Sequence, residues 1–234
     1  MPTSSLYSTR AVLFDLDGTL LDTAPDMVGA LDLLMQEEGL PAVDHEMARR
    51  QVSHGSGALV TLGFGADQSA ADFKRRQQRY LDLYEQNLCV DTRLFQGMEE
   101  TLAFLEAQGI AWGIVTNKPA FLTVPLLKLL NLHDRSKTIV SGDSLPNRKP
   151  HPEPLFYAAS ACNVLATECI YVGDAERDIE AGNRAGMTTL LASYGYIDEE
   201  ERPELWGANG VIEEAQEILD WLIEATESDS HRAN

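Results

Sequence analysis

The sequence predicts an α/β protein: a doubly wound parallel sheet interrupted, directly after its first strand, by an all-helical insertion. Three observations carry that expectation. Short apolar runs end in polar or acidic residues, helical patterns separate those runs through the second half, and residues 22 to 94 show helical patterning with no convincing strand. Continuous apolarity suits strands buried on both faces, and strand–helix alternation suits parallel pairing.

The first strand is read in AVLFD from Ala11, and further strands in AWGIVTN from Ala111, TIVSGD from Thr138, CIYVGD from Cys169 and TTLLAS from Thr188. Between Asp22 and Leu94 the stretches APDMVGALDLLMQEEG, EMARRQVS and ADFKRRQQRYLDLYEQN read as helices. That insertion is too long for an ordinary crossover and is expected to form a cap over the carboxyl edge of the sheet, with the chain re-entering the core near Phe95. The expected division is a catalytic core of residues 1–21 and 95–234 with a helical cap of 22–94. In the core, GMEETLAFLEAQG places Met98, Leu102 and Leu105 at helical spacing and stops at Gly109. Further helices are expected in PLLKLLNL after Pro125, PEPLFYAASACNV after Pro152 and AERDIEAGNRAG before Thr188. The polar tail TESDSHRAN reads as frayed.

The 234 residues are 44% hydrophobic, enough for one substantial core or two small ones. Lys and Arg number 18 against 37 Asp and Glu, a net charge of −19. Nucleic acid and anionic membrane surfaces both demand a positive field, so neither partner is expected. A small anionic substrate stays open, because a bound cation reverses the local sign. Cys89, Cys162 and Cys169 are scattered and suit buried thiols in a reducing compartment. The start, MPTSSLYSTR, lacks the apolar run of a signal peptide, and no segment approaches transmembrane length, so a soluble cytoplasmic protein is expected. Nothing here sets an oligomeric state.

Open α/β sheets bind ligands beyond the carboxyl ends of their strands. Asp15 and Asp17, Thr116 and Asn117, then Asp174 and Asp178 collect at that edge. Converging carboxylates make a hard oxygen site suited to Mg²⁺, and no His or Cys cluster offers a softer one. Taken singly, an Asp after an apolar strand is usually a turn former or helix cap. Asp22 is read that way, as a cap for the helix starting near Pro25.

DLDGT at Asp15, VTN at Val115, the KP of RKPHPEP at Lys149 and GDAERD at Gly173 resemble, in order, the four motifs of the haloacid dehalogenase-like phosphatases. The resemblance implies a Rossmann-like core, a small helical cap and a role for each residue. Asp15 would attack phosphorus and form an aspartyl-phosphate, splitting hydrolysis into two steps. Asp17 would protonate the leaving oxygen and later take a proton from water. Mg²⁺ would be held by Asp15, Asp174 and the backbone carbonyl of Asp17. Asp178 would orient waters or Lys149. Thr116, the amide of Asn117 and Lys149 would hold phosphate oxygens. Haloacid dehalogenases proper lack the second aspartate of DxD, so its presence implies phosphoryl chemistry. VTNKP, KPHPEPL and SYGYI are similar to the phosphoglycolate phosphatase group. Within it, LFQGM, WGIVTNKP, YGYI and ELWGAN most resemble the N-acetylmuramic acid 6-phosphate phosphatases of cell-wall sugar recycling.

In the cap, SHGSG is expected to form a glycine-bracketed loop dipping into the site, with Ser53, His54, Gly55 and Ser56 as substrate-binding candidates. It is no esterase elbow, since His54 stands where that motif needs glycine. Lys74, Arg75, Arg76 and Arg79 read as a solvated helix face, with a minority reading in which one arginine meets an anionic part of the substrate. Other classes fit less well. A phosphoryl-receiver module is about half this length and lacks the insertion, and a P-loop is absent. A sugar phosphomutase of the same superfamily stays an alternative, since it shares the aspartyl-phosphate and differs in the acceptor of the phosphoryl group.

Overall fold

The run Ala11–Phe14 is wholly buried and lies in the middle of a six-stranded sheet, which explains its lack of polar alternation. The computed structural model describes residues 9–222. The polar tail and most of MPTSSLYSTR lie outside that range. Strands are β1 Ala11–Phe14, β2 Leu21–Asp22, β3 Arg93–Leu94, β4 Ala111–Val115, β5 Thr138–Val140, β6 Cys169–Gly173, β7 Thr188–Ala192 and β8 Gly210–Ile212. Helices are α1 Ala24–Glu37, α2 His45–Arg50, α3 Ser56–Phe64, α4 Ala70–Gln86, α5 Met98–Ala107, α6 Ala120–Leu129, α7 Glu153–Ala161 and α8 Glu176–Ala185.

The large sheet has the order β5-β4-β1-β6-β7-β8, and every pairing in it is parallel. Side chains of β1 alternate between its two faces. Val12 and Phe14 join a cluster with Met98, Leu102 and Leu126 from α5 and α6, while Ala11 and Leu13 join Leu155, Ala158 and Ala181 from α7 and α8. Helices on both faces define the doubly wound class expected from the sequence. The carboxyl ends of β1, β4 and β6 thereby lie side by side.

The helical insertion has its own apolar cluster. Leu31 and Leu34 of α1, Leu59 and Val60 of α3, and Tyr80 and Leu83 of α4 pack together, with Leu122 and Tyr196 joining from the sheet side. Three details depart from the sequence reading. The insertion is bounded by a strand pair: β2 and β3 run antiparallel, with Leu21 opposite Leu94 and Asp22 opposite Arg93. Two-residue strands leave no periodic trace in a sequence. The SHGSG stretch is a 3-10 turn over Val52–His54 followed by the first residues of α3, a helix not foreseen. Helix α6 starts at Ala120 and carries Pro125 inside it, so Pro125 is not its boundary. Phe95 follows β3 and packs against the insertion's cluster, with its ring 4.9 Å from that of Tyr194.

Candidate active site

Asp15 follows β1 and is buried, and its carboxylate meets the side chain of Lys149, which arrives from the loop before α7. The Lys149 Nζ donates to Asp15 Oδ1 at 2.7 Å, to the Val115 carbonyl at 2.7 Å and to the Tyr171 hydroxyl oxygen at 2.8 Å. It also lies 2.7 Å from Asp178 Oδ1. A buried ammonium survives only when such partners replace its lost hydration. Asp178, at the first turn of α8, accepts from the Ala175 N–H at 3.1 Å through its other oxygen. It therefore both caps α8 and grips Lys149.

Asp174 follows β6. Its oxygens accept from Thr19 Oγ1 at 3.0 Å, Ser53 Oγ at 2.7 Å and the Tyr196 N–H at 3.0 Å. Burial, then the nearby charges of Asp15 and Asp178, push its carboxyl up to about 7. The same desolvation and Asp178 raise Asp15, against the pull of Lys149. Gly18 makes this crowding possible. Its φ is +87°, and a Cβ there would sit 2.1 Å from Asp174 Oδ2.

Asp15, Asp174 and Asp178 each offer an oxygen within 4.8 Å of the others, all three buried. Lys149 already satisfies Asp178, whereas Asp174 has only neutral donors among the bonds just described. A divalent cation fits beside Asp15 and Asp174, because hard oxygens and unrelieved negative charge coincide there.

Asp17 points along the same edge. Its Oδ1 accepts from Thr23 Oγ1 at 2.7 Å and from Lys118 Nζ at 2.9 Å. Thr116 follows β4, and its Oγ1 accepts the Lys118 N–H at 3.1 Å, leaving the threonine's own O–H available as a donor. The Asn117 side chain donates to the Lys149 carbonyl at 3.0 Å, tying the two loops together. Asp15, Asp17, Thr116, Asn117 and Lys149 all line one cavity of about 610 Å³. Ser53, His54, Gly55 and Ser56 line it from the helical insertion, so the SHGSG stretch does reach the site.

The remaining sequence expectations resolve differently. Asp22 is not a helix cap: Thr23 occupies that position without a capping hydrogen bond. Asp22 instead accepts two hydrogen bonds from Arg49, at 2.8 and 3.1 Å, and one from the Tyr196 hydroxyl at 2.6 Å. Arg75, Arg76 and Arg79 turn to Glu37 and Glu38 at the end of α1, which removes the reading that one of those paired arginines meets substrate. The opposite face of α4 lines the cavity with Gln77, Tyr80, Leu81 and Tyr84. That 3-4-7 spacing was legible as a helix face but gave no sign of where it points. Lys118, Arg148 and Arg177 also line the cavity and were missed. Lys118 stood within the quoted VTNKP stretch; its distant partner Asp17 is invisible locally.

A doubly wound core with clustered aspartates and a buried lysine at its carboxyl edge, roofed by helices, defines a hydrolase built for phosphoryl groups. The family model described as haloacid dehalogenase-like hydrolase matches residues 12–192, and the chain belongs to that family. The N-acetylmuramic acid 6-phosphate phosphatase of Pseudomonas putida is 42% identical over 209 residues, covering 89% of this chain and 94% of that protein. The phosphoglycolate phosphatase of Xanthomonas campestris pv. campestris is 43% identical over 209 residues, with the same 89% and 94% coverage. A crystal structure from Haemophilus somnus, described as a predicted phosphoglycolate phosphatase, superposes with a TM-score of 0.81 at 26% identity over 92% of this chain and 98% of that one. With such relatives along nearly its whole length, the chain is a phosphoric monoester hydrolase. Among the described residues, no helix is long and apolar enough to cross a membrane.

Proposed function

We propose that the chain hydrolyses a small phosphomonoester through an aspartyl-phosphate on Asp15, and that N-acetylmuramic acid 6-phosphate is the substrate. The observation that carries the chemistry is the joint burial of Asp15, Asp174 and Lys149 at one strand edge, with their charged atoms converging. The Asp15 carboxylate attacks phosphorus while Asp17 gives a proton to the departing ester oxygen. Asp17 then takes a proton from water, which attacks phosphorus and releases phosphate and free Asp15. Lys149, the Thr116 hydroxyl and the Asn117 N–H hold the oxygens of the transferring group.

Mg²⁺ would be held by Asp15, Asp174 and the Asp17 carbonyl, where it offsets charge on the phosphoryl oxygens and lets two carboxylates approach an anion. Asp178 keeps Lys149 extended toward Asp15. Residues 22–94 act as the cap over a core of 1–21 and 95–234, and Ser53, His54, Gly55 and Ser56 face substrate from it. The free cysteines fit a reducing cytoplasm.

Relatives of two names support the substrate choice, and 2-phosphoglycolate is the alternative. The cavity, at about 610 Å³, lies within the roughly 300 to 1,000 Å³ of small-molecule sites and has room for the sugar phosphate. A comparison of kcat/KM on the two compounds tests the choice. The sugar phosphate is expected to win, and a higher value on 2-phosphoglycolate overturns it.

A further inference from the structure

The cavity wall carries four basic side chains, Lys118, Arg148, Lys149 and Arg177, beside Asp15 and Asp17, with Asp174 and Asp178 next to Asp15. These cations gather in a chain whose net charge is −19, so their clustering is local and not a reflection of composition. Lys149 is committed to Asp15 and Asp178 at the phosphoryl end. Lys118 lies elsewhere in the wall. It follows β4 in the chain; its Nζ donates to Asp17, to which the reading above gives the departing ester oxygen, at 2.9 Å, and to the Tyr84 hydroxyl oxygen of the roof at 3.0 Å. Its ammonium is 4.5 Å from the Tyr84 ring centre, and its third close neighbour is only the weak acceptor Met27 Sδ at 3.7 Å. The side chain is 4% exposed. Lys118 is thus a buried cation beside Asp17, on the side where the proposed mechanism puts the leaving group, and the proposed phosphoryl steps do not employ it.

We propose that Lys118 is a specificity residue: it reads a carboxylate on the leaving group, so that the enzyme selects phosphomonoesters of hydroxy acids over neutral alcohol phosphates. The proposal rests on the phosphomonoesterase reading above and adds the class of leaving group. In the structure Lys118 leans on Asp17. A substrate carboxylate replaces that contact, and Asp17 keeps its bond from Thr23 Oγ1 at 2.7 Å. Asp17 therefore stays held toward the cavity when Lys118 turns to the ligand. Tyr84 and Met27 hold the ammonium on its other sides, so its charge has a defined position at little entropic cost.

The test compares matched pairs: 2-phosphoglycolate against 2-hydroxyethyl phosphate, and N-acetylmuramic acid 6-phosphate against N-acetylglucosamine 6-phosphate. With Mg²⁺ present, the full-length wild-type chain is expected to favour the acid member of its better pair by roughly 10- to 100-fold in kcat/KM, the scale of a hydrogen bond to a charged group. Lys118→Met should shrink that ratio toward one, because the acid substrate loses more than its neutral partner. Lys118→Arg, which keeps the charge, should retain most of it. A wild-type ratio near one overturns the assignment even where Lys118→Met does not fold, and the retained preference of Lys118→Arg then carries the positive test. Equal rates on acid and neutral members overturn the assignment while leaving the phosphatase reading intact. Absence of hydrolysis on all four compounds and on p-nitrophenyl phosphate overturns both. An undiminished acid preference in folded Lys118→Met also sinks it.

Discussion

The Lys149 ammonium and the Asp15 carboxylate stand 2.7 Å apart, with side chains 1% and 4% exposed. Neither charge tolerates that burial alone, and Asp178 adds a second carboxylate on the far side of the ammonium. Lys149→Met would leave two buried carboxylates without their shared counter-ion. Breaking a buried pair on one side costs about 3–5 kcal/mol. We expect Lys149→Met to lose that order of stability in urea unfolding at neutral pH, together with its activity. An unchanged midpoint would show that the pair contributes nothing to the fold.

Gly18 permits Asp174 to approach the end of β1. A Cβ at position 18 would lie 2.1 Å from Asp174 Oδ2, on a backbone with φ of +87°. Gly18→Ala should displace Asp174 and add backbone strain of about 1–2 kcal/mol. Divalent-ion affinity, read by titration of Mg²⁺-dependent turnover, should fall by at least an order of magnitude. Normal Mg²⁺ dependence in this variant would mean that Asp174 does not hold the ion.

The raised carboxyl of Asp174 sets a pH dependence. Its ordinary value is 3.8, and in the fold it reaches about 7, so between those values the folded chain holds a proton that the unfolded chain releases. Bound protons then favour the folded state, and this contribution to stability falls as pH rises from 3.8 toward 7. In chelator the melting temperature should decline across that window. Added Mg²⁺, which needs the ionised form, should raise it more at pH 8 than at pH 5. A Mg²⁺ shift larger at pH 5 would contradict the assignment of Asp174 as ligand.

Tyr196 joins the insertion to the core. Its hydroxyl donates to Asp22 at 2.6 Å and accepts the Ala24 N–H at 2.9 Å, while Arg49 lies over its ring at 4.8 Å. Tyr196→Phe removes both hydrogen bonds and leaves the apolar ring. A loss of about 1–3 kcal/mol is expected, on the scale of buried groups stripped of a partner. Differential scanning calorimetry would register it, and an unchanged melting temperature would dismiss the link.

Those residues also show what the sequence made legible. The four central strands were readable because a strand buried on both faces is apolar almost throughout, as in Ala11–Phe14 or Cys169–Gly173, and the edge strand Thr138–Val140 was readable from its short apolar run. The edge strand Gly210–Ile212 was not, being short, with Val211 exposed. Helix α3, SGALVTLGF, was hidden by glycines at positions 57 and 63. The residues expected at the strand ends do meet in space. Asp22 was misread because an Asp beside a helix start looks like a cap, whereas its partner Arg49 lies 27 residues on. Lys118 was missed for the same reason: its bond to Asp17 spans 101 positions.

The central claim is that Asp15 carries the phosphoryl group. The most direct measurement traps the acyl phosphate during turnover with borohydride, which reduces an aspartyl-phosphate to homoserine, and locates the change by peptide mass spectrometry. Homoserine at position 15, dependent on substrate and absent from Asp15→Asn, is the predicted result. Conversion at another carboxylate, or an Asp15→Asn variant that still turns over at the wild-type rate, would contradict the account.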